Sequence, residues 1–213
     1  MSESSDIIES ELRRYYGDRR AKHGFGAGGV GWKSAETQAI IFRQITKVIE
    51  ERSGFSIADL GCGLGHLYDF LRAEGYADFR YAGYDLLPEM AEAARGLRKE
   101  SDAVIRHITD AAEMEPADYV VAAGTSNLRY SLPECDRLAH LLRALHAMHE
   151  RSRVGFAFNA LTKYSDADRM ELELYYADPG FLFDYCKRNF SRNVALLHDY
   201  SLYEFTILVR KRL

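Results

Sequence analysis

The sequence is poor in cysteine and has no long apolar run, and each absence excludes a class of protein. Its three cysteines, Cys62, Cys135 and Cys186, are scattered and odd in number, with no C-x-x-C pair and no zinc-ligand spacing. They read as free thiols in a reducing cytosol, so a cytoplasmic location is expected and a metal site is not. Nothing approaches the run of about 18 apolar residues that a membrane span needs. The opening stretch MSESSDIIESELRRYY lacks the apolar core of a secretory signal. The longest block of Lys and Arg is the triplet Arg210-Lys211-Arg212, and the formal charge is −4 with acids and bases interspersed. No nucleic-acid partner is therefore expected. Internal repeats and low-complexity tracts are missing as well.

What is present is an ordinary globular mix, 47% apolar and 28% charged over 213 residues. That suffices for one domain, 1–213, with a sizeable core, and is short for two. Residues 6–16 read as a short helix. Residues 17–34 carry six glycines and the only tryptophan, Trp32, and read as a flexible N-terminal flap. Ser34 suits a helix N-cap, and Ile41, Ile45, Val48 and Ile49 then fall on one helical face. Strands and helices alternate from there. Strands are expected at 55–60, 79–85, 103–108, 119–124 and 153–159. Pro88 opens one intervening helix. Pro133 opens another, with Leu138, Leu141, Leu142 and Leu145 as its apolar stripe. Residues 160–177 are polar and tyrosine-bearing and can fold over a site as a lid. Asp178-Pro179 begins a last helix. Two closing strands, 193–200 and 203–211, lie two residues apart and predict an antiparallel hairpin. Repeated βα units predict an α/β fold: a Rossmann-like, mostly parallel sheet with right-handed crossovers and helices on both faces.

The stretch IADLGCGLGHL (57–67) lies where the first strand meets its helix. In an open α/β sheet, ligands bind beyond the carboxyl ends of the strands. Its glycines, Gly61, Gly63 and Gly65, exceed what a tight turn needs. A dinucleotide loop wants G-x-G-x-x-G, and His66 stands where the third glycine would fall. The pattern here is G-x-G-x-G around Cys62, with Asp59 two residues ahead, the form that goes with S-adenosylmethionine (SAM). His66 is expected to cap or line the cofactor pocket. Asp85 ends the second strand about 20 residues past Gly65, where an acid accepts hydrogen bonds from ribose hydroxyls. Asp110 and the amide of Ala111 follow the third strand, placed to read an adenine edge.

In the order and spacing of these three motifs the chain resembles the class I SAM-dependent methyltransferases over roughly residues 30–213. The stretches GVGWKSAETQ, VVAAGTSNLRY, GFAFNAL, YYADP and HDYSLYEFT resemble a group of small bacterial methyltransferases of largely unassigned substrate. The resemblance implies a seven-stranded sheet of order 3-2-1-4-5-7-6 with strand 7 antiparallel, and SAM as cofactor. By the same resemblance Asp85 binds ribose, Asp110 and Ala111 bind adenine, and Leu86 and Met90 pack on it. Gly61, Gly63 and Gly65 let the methionine moiety lie against the chain, and Gly124 and Thr125 flank the sulfonium. Gln38 is the candidate partner for the methionine carboxylate.

Methyl transfer from a sulfonium is an in-line displacement whose leaving group is already charged, so a shaped pocket matters more than a catalytic triad. Asn127, Arg129 and Tyr130 follow the fourth strand, and Asn159 ends the fifth. Tyr175 and Tyr176 belong to the candidate lid. Tyr200 and Tyr203 stand at the hairpin turn, and Tyr15, Tyr16 and Trp32 on the flap. All are candidate acceptor contacts. His198 is the candidate general base, since an imidazole titrates near neutrality. His140, His146 and His149 share one helix and read as surface residues. The expected activity is SAM-dependent methylation of an oxygen or nitrogen of a small-molecule metabolite. Non-methyl chemistry on the same cofactor, cyclisation or another alkyl transfer, stays open. So does methylation of a macromolecule. The N/D-P-P-Y/F motif that goes with amide and nucleobase acceptors is missing.

Overall fold

A central strand covered on both faces must be apolar on both. SIADL meets that demand in β1 (Ser56–Leu60), which is buried along its whole length. It pairs in parallel with β2 (Arg80–Asp85) on one side and β4 (Ala117–Ala122) on the other. The full sheet runs β3 (Val104–His107), β2, β1, β4, β5 (Ser152–Thr162), β8 (Glu204–Arg210), β7 (Asn193–Leu197). β8 is antiparallel to both its neighbours. A two-residue strand, β6 (Tyr176–Ala177), pairs with the end of β5. With β6 set aside, this is the order 3-2-1-4-5-7-6 expected from the sequence. The computed structural model describes residues 3–211, with side chains from Ile7 onward. Residues 1, 2, 212 and 213 of the expected domain lie outside the described residues.

Alternation along the strands divides the core in two. Ile57, Tyr81, Tyr119 and Val121 face α2 (Ala35–Ile45), α3 (His66–Ala73) and α4 (Pro88–Leu97). Ala58, Tyr84, Val120 and Phe156 face α5 (Glu134–Arg151) and α6 (Pro179–Asn189). Helix starts follow local chemistry. Ser34 Oγ accepts the Thr37 amide at 3.2 Å while Thr37 Oγ1 accepts the Ser34 amide at 3.0 Å. Asp178 Oδ1 caps α6, accepting from the Gly180 and Phe181 amides. Among the described residues no helix is long and apolar enough to cross a membrane.

Four local expectations are corrected. The first helix, α1 (Glu3–His23), continues through Gly17 to His23, so the front of the expected flap is helical. A single 3₁₀ turn, Ala27–Val30, follows. The closing strands stop at Leu197 and restart at Glu204, which leaves 198–203 as a loop and takes His198 and Tyr200 out of the strand. The 160–177 segment begins as the end of β5 and returns to pair with it at Leu161↔Tyr176. On the way the Tyr175 amide donates to Asn127 O and the Arg129 amide to Glu173 O, both at 2.9 Å. Main-chain bonds tie both its ends into the sheet's rim. Of the expected stripe on α5, Leu141 and Leu145 are buried, joined by Arg137, Ala147 and Met148 in place of Leu138 and Leu142.

Gly155 lets β5 and β8 approach. A Cβ there would lie 2.6 Å from Val209 O, a backbone atom that cannot yield cheaply. Gly155→Ala is expected to cost about 1–3 kcal/mol by overpacking, measured by urea unfolding. An unchanged midpoint at unchanged m would show that the strands are not held this close.

Candidate functional site

The loops after β1, β2, β3 and β4 meet beyond the carboxyl ends of the strands. There they surround a cavity of about 550 Å³, with α1 and the start of α5 completing its walls. The Gly61 and Cys62 amides both donate to Tyr84 O, at 2.7 and 3.0 Å, and pin the glycine loop to the end of β2. Gly61 has φ +71°, and a Cβ on it would meet Thr125 Cγ2 at 2.2 Å. Bare backbone is therefore required where the loops after β1 and β4 touch. The Cys62 thiol is buried against Gly83, and burial pushes its pKa well above the ordinary value. It is a packing group, not a nucleophile.

Two carboxylates define the polar end. Asp85 Oδ2 accepts the Gly63 amide and Oδ1 the Leu87 amide, each at 2.9 Å. Burial pushes Asp85 up to about 6, against the pull of those amides. Asp59 Oδ2 accepts the Tyr81 hydroxyl at 2.6 Å. Burial, with the charge of Asp85, brings Asp59 to about 7. Both are held by neutral donors, and each carboxylate keeps lone pairs free for the cavity it lines. Buried carboxylates beside bare glycine backbone suit hydroxyl donors and a cationic group. That donor set fits the ribose diol and ammonium of SAM.

Gln38, Leu86, Met90, Asp110, Ala111, Gly124 and Thr125 also line the cavity. The Gln38 amide Nε2 lies 3.3 Å from His66 Nδ1, and His66 Nε2 lies 3.1 Å from Phe25 O. A carbonyl only accepts, so Nε2 carries the His66 proton and Nδ1 accepts from Gln38. His66 and Gly65 are outside the described lining, and His66 orients Gln38, which is in it. Asp110 Oδ1 accepts the Ala112 amide at 2.7 Å, capping the 3₁₀ turn Ala111–Glu113.

The expected acceptor contacts divide. Trp32 and Tyr16 line the cavity. Tyr15 is outside the lining and packs edge-on against Tyr16, ring centroids 5.1 Å apart. Asn159 is fully buried behind the site. Its Oδ1 accepts the Gly124 amide at 2.8 Å, and its Nδ2 donates to Glu204, which burial raises to about 7. It positions the turn after β4. Asn127 accepts the Leu161 and Tyr175 amides and joins that turn to the rim. Arg129 does the same through its own amide. Tyr175 lies under the Arg137 guanidinium, and the Tyr176 hydroxyl accepts the Glu171 amide at 2.9 Å. Tyr200 shares a hydrogen bond with Thr206 Oγ1 at 3.0 Å, and the exposed Tyr203 donates to Asp166. His198 is exposed on the β7–β8 loop, its ring 6.1 Å from those of Tyr164 and Phe205. None of these is in the described lining, so His198 is not positioned as a base.

Ile8 and Leu12 of α1, Leu128, Tyr130 and Leu132 after β4, and Arg137 and His140 of α5 also line the cavity. Of these the sequence reading singled out only Tyr130 for the site. α1 is seated by Arg13–Glu89 at 3.0 Å, by Arg20 Nη1 on Glu89 O at 3.1 Å, and by the Ser131 amide on Glu11 at 3.0 Å. Burial raises the Tyr16 and Tyr130 phenols far above their ordinary values and lowers the His140 imidazole. The signal for Arg137 was present: it stands four residues before Leu141 on a core-facing stripe. Among the described residues no cluster of three or more His, Cys, Asp or Glu could hold a metal.

No family model matches the chain. The Mycobacterium tuberculosis protein Rv1506c, named provisionally as a methyltransferase, is 50% identical over 165 residues, 78% of this chain and 98% of its own. Magnesium protoporphyrin IX methyltransferase (ChlM) from Synechocystis PCC 6803, solved with bound SAM, aligns with 96% of this chain and 97% of its own. Its identity is 14% and its TM-score 0.67. Human N-acetylserotonin methyltransferase (ASMT), in complex with SAM, aligns with 95% of this chain and 58% of its own at 17% identity and TM-score 0.62. At those identities the two solved structures share the fold.

Asp59 and Asp85 hold protons more readily in the fold than in the unfolded chain, where carboxyls titrate near pH 4. Below about pH 4 the shift costs nothing. As pH rises toward about 7 the folded protein must ionise buried carboxyls, and stability falls. The ligand-free protein is expected to lose thermal stability from these groups between about pH 4 and 7, and Asp59→Asn to flatten that slope. Identical slopes in melting curves of the two proteins would contradict it.

Proposed function

The chain belongs to the class I SAM-dependent methyltransferases, and from that premise we propose that it methylates an oxygen or nitrogen of a small molecule. The carrying observation is that one cavity joins a polar, carboxylate-lined end to an apolar and aromatic end closed by α1. Its volume is that of a small-ligand pocket. The fold relatives named above carry small molecules in their names, magnesium protoporphyrin IX and N-acetylserotonin.

SAM, when bound, supplies a methyl group on a sulfonium that leaves as a neutral thioether and needs no acid. Asp85 would hold the ribose hydroxyls, Asp59 the ammonium and Gln38 the carboxylate. Asp110 and Ala111 would meet adenine, with Leu86 and Met90 against its ring. The backbone of Gly61 and Gly63 gives the methionine chain its close approach, and Gly124 and Thr125 border the transfer point. Trp32, Tyr16, Ile8 and Leu12 exclude water and align the acceptor, which is the main work such a transfer asks of the protein. A hydroxyl acceptor also asks for a base. His140 is the imidazole on the wall, but it feels the charge of Asp110 at the adenine contact, so no base is assigned.

SAM and its product S-adenosylhomocysteine (SAH) are expected to bind in isothermal titration. Asp85→Ala should weaken both on the order of 10- to 100-fold, the worth of charge-assisted hydrogen bonds. Failure of both to bind the wild-type protein would overturn the proposal.

A further inference from the structure

Arg137 occupies a place on α5 where its neighbours on the stripe, Leu141, Leu145 and Met148, are all apolar and buried. It is only 3% exposed. Its guanidinium lies over the Tyr175 ring, so the ring covers one face and steadies the plane. Nε and Nη2 are buried with no hydrogen-bond partner. These two nitrogens share one edge of the guanidinium fork, the edge that presents two parallel N–H groups to a carboxylate. A buried donor without a partner costs stability, and here two of them belong to a residue on the cavity wall.

We propose that the Arg137 edge receives a carboxylate carried by the methyl acceptor. The inference rests on the methyltransferase reading of the cavity and deepens it. Arg143 lies on the same wall but is exposed to water, so the one buried guanidinium balances a single negative charge. A dianionic phosphate would leave charge uncompensated in a low-dielectric pocket, where that is expensive. The surroundings set the rest of the molecule: Leu12, Tyr16, Leu128, Tyr130 and Leu132 make an apolar, partly aromatic wall. Asp59, Asp85, Glu9 and Asp136 line the same cavity, so the buried Arg137 is where an anionic group on the acceptor meets a counter-charge. The acceptor class is thus an apolar or aromatic body with one carboxylate, held by that group as a handle.

The test uses the SAH-saturated protein and simple probes: benzoate, its neutral isostere benzamide, and phenyl phosphate. Trp32, the only tryptophan, lines the cavity and reports binding by fluorescence, with calorimetry as a second readout. Benzoate is expected to bind on the order of 10- to 100-fold tighter than benzamide. Arg137→Met should abolish that preference while leaving SAH affinity unchanged. Equal binding of acid and amide, no binding of either, or a preference that survives the substitution would overturn the proposal. Phenyl phosphate binding tighter than benzoate would also overturn it, by assigning the edge to phosphate. If the substituted protein does not fold, the acid-against-amide comparison on the wild-type protein decides alone. Failure of SAH to bind would count against the cofactor site, and the same comparison without SAH would still test Arg137.

Discussion

Asp85 accepts the Gly63 amide through one carboxylate oxygen and the Leu87 amide through the other, both at 2.9 Å. One buried side chain thereby fixes the glycine loop after β1 and the start of α4 relative to each other. The rest of the polar end follows. Tyr84, next to it in β2, takes the Gly61 and Cys62 amides on its carbonyl, and Gly61 in turn permits the close approach of Thr125. The arrangement carries a tension, because burial makes the Asp85 carboxyl reluctant to ionise while its amide partners prefer the charged form. Asp59 shares that condition. A cationic ligand at this end would relieve it.

The other end is built by packing across long sequence distances. α1 reaches over the cavity and is seated on α4 through Glu89 and on the turn after β4 through Ser131. α5 contributes Arg137 and His140 from the opposite wall. The turn after β4, which both meet, is held from behind by Asn159 on the Gly124 amide and by Asn127 on β5. The cavity consequently joins buried carboxylates and bare backbone at the strand ends to an apolar wall that carries one buried guanidinium.

Several elements were legible early because their causes are local. Ser34 with Thr37, Asp178 with Pro179, and the apolar strands 55–60 and 119–124 each depend on residues a few positions apart. The glycine pattern with Asp59, and the acids that end the following strands, are equally compact signals. Other features depend on distant residues. The polarity of 160–177 suggested a lid, and main-chain bonds to 127–129 and the end of β5 tie both its ends into the rim. The closing hairpin looked tight from spacing alone. Its strands end early, which puts His198 and Tyr200 on a loop whose side chains face Tyr164, Phe205 and Thr206.

The sequence by itself determined the fold class and the donor end of the cavity. In a parallel α/β sheet every strand's carboxyl end arrives on the same rim, so motifs read singly along the chain must converge in space. The tertiary structure alone decided the acceptor end. Which tyrosines and histidines face the cavity depends on how α1 crosses the rim, which leaves no short-range pattern; helical spacing put Arg137 on the stripe of Leu141, but only the fold shows what it faces. Arg137 shows the difference. In the sequence it is one charge on an amphipathic helix; in the fold it is a buried guanidinium with a free edge, because packing from two other segments removed its water.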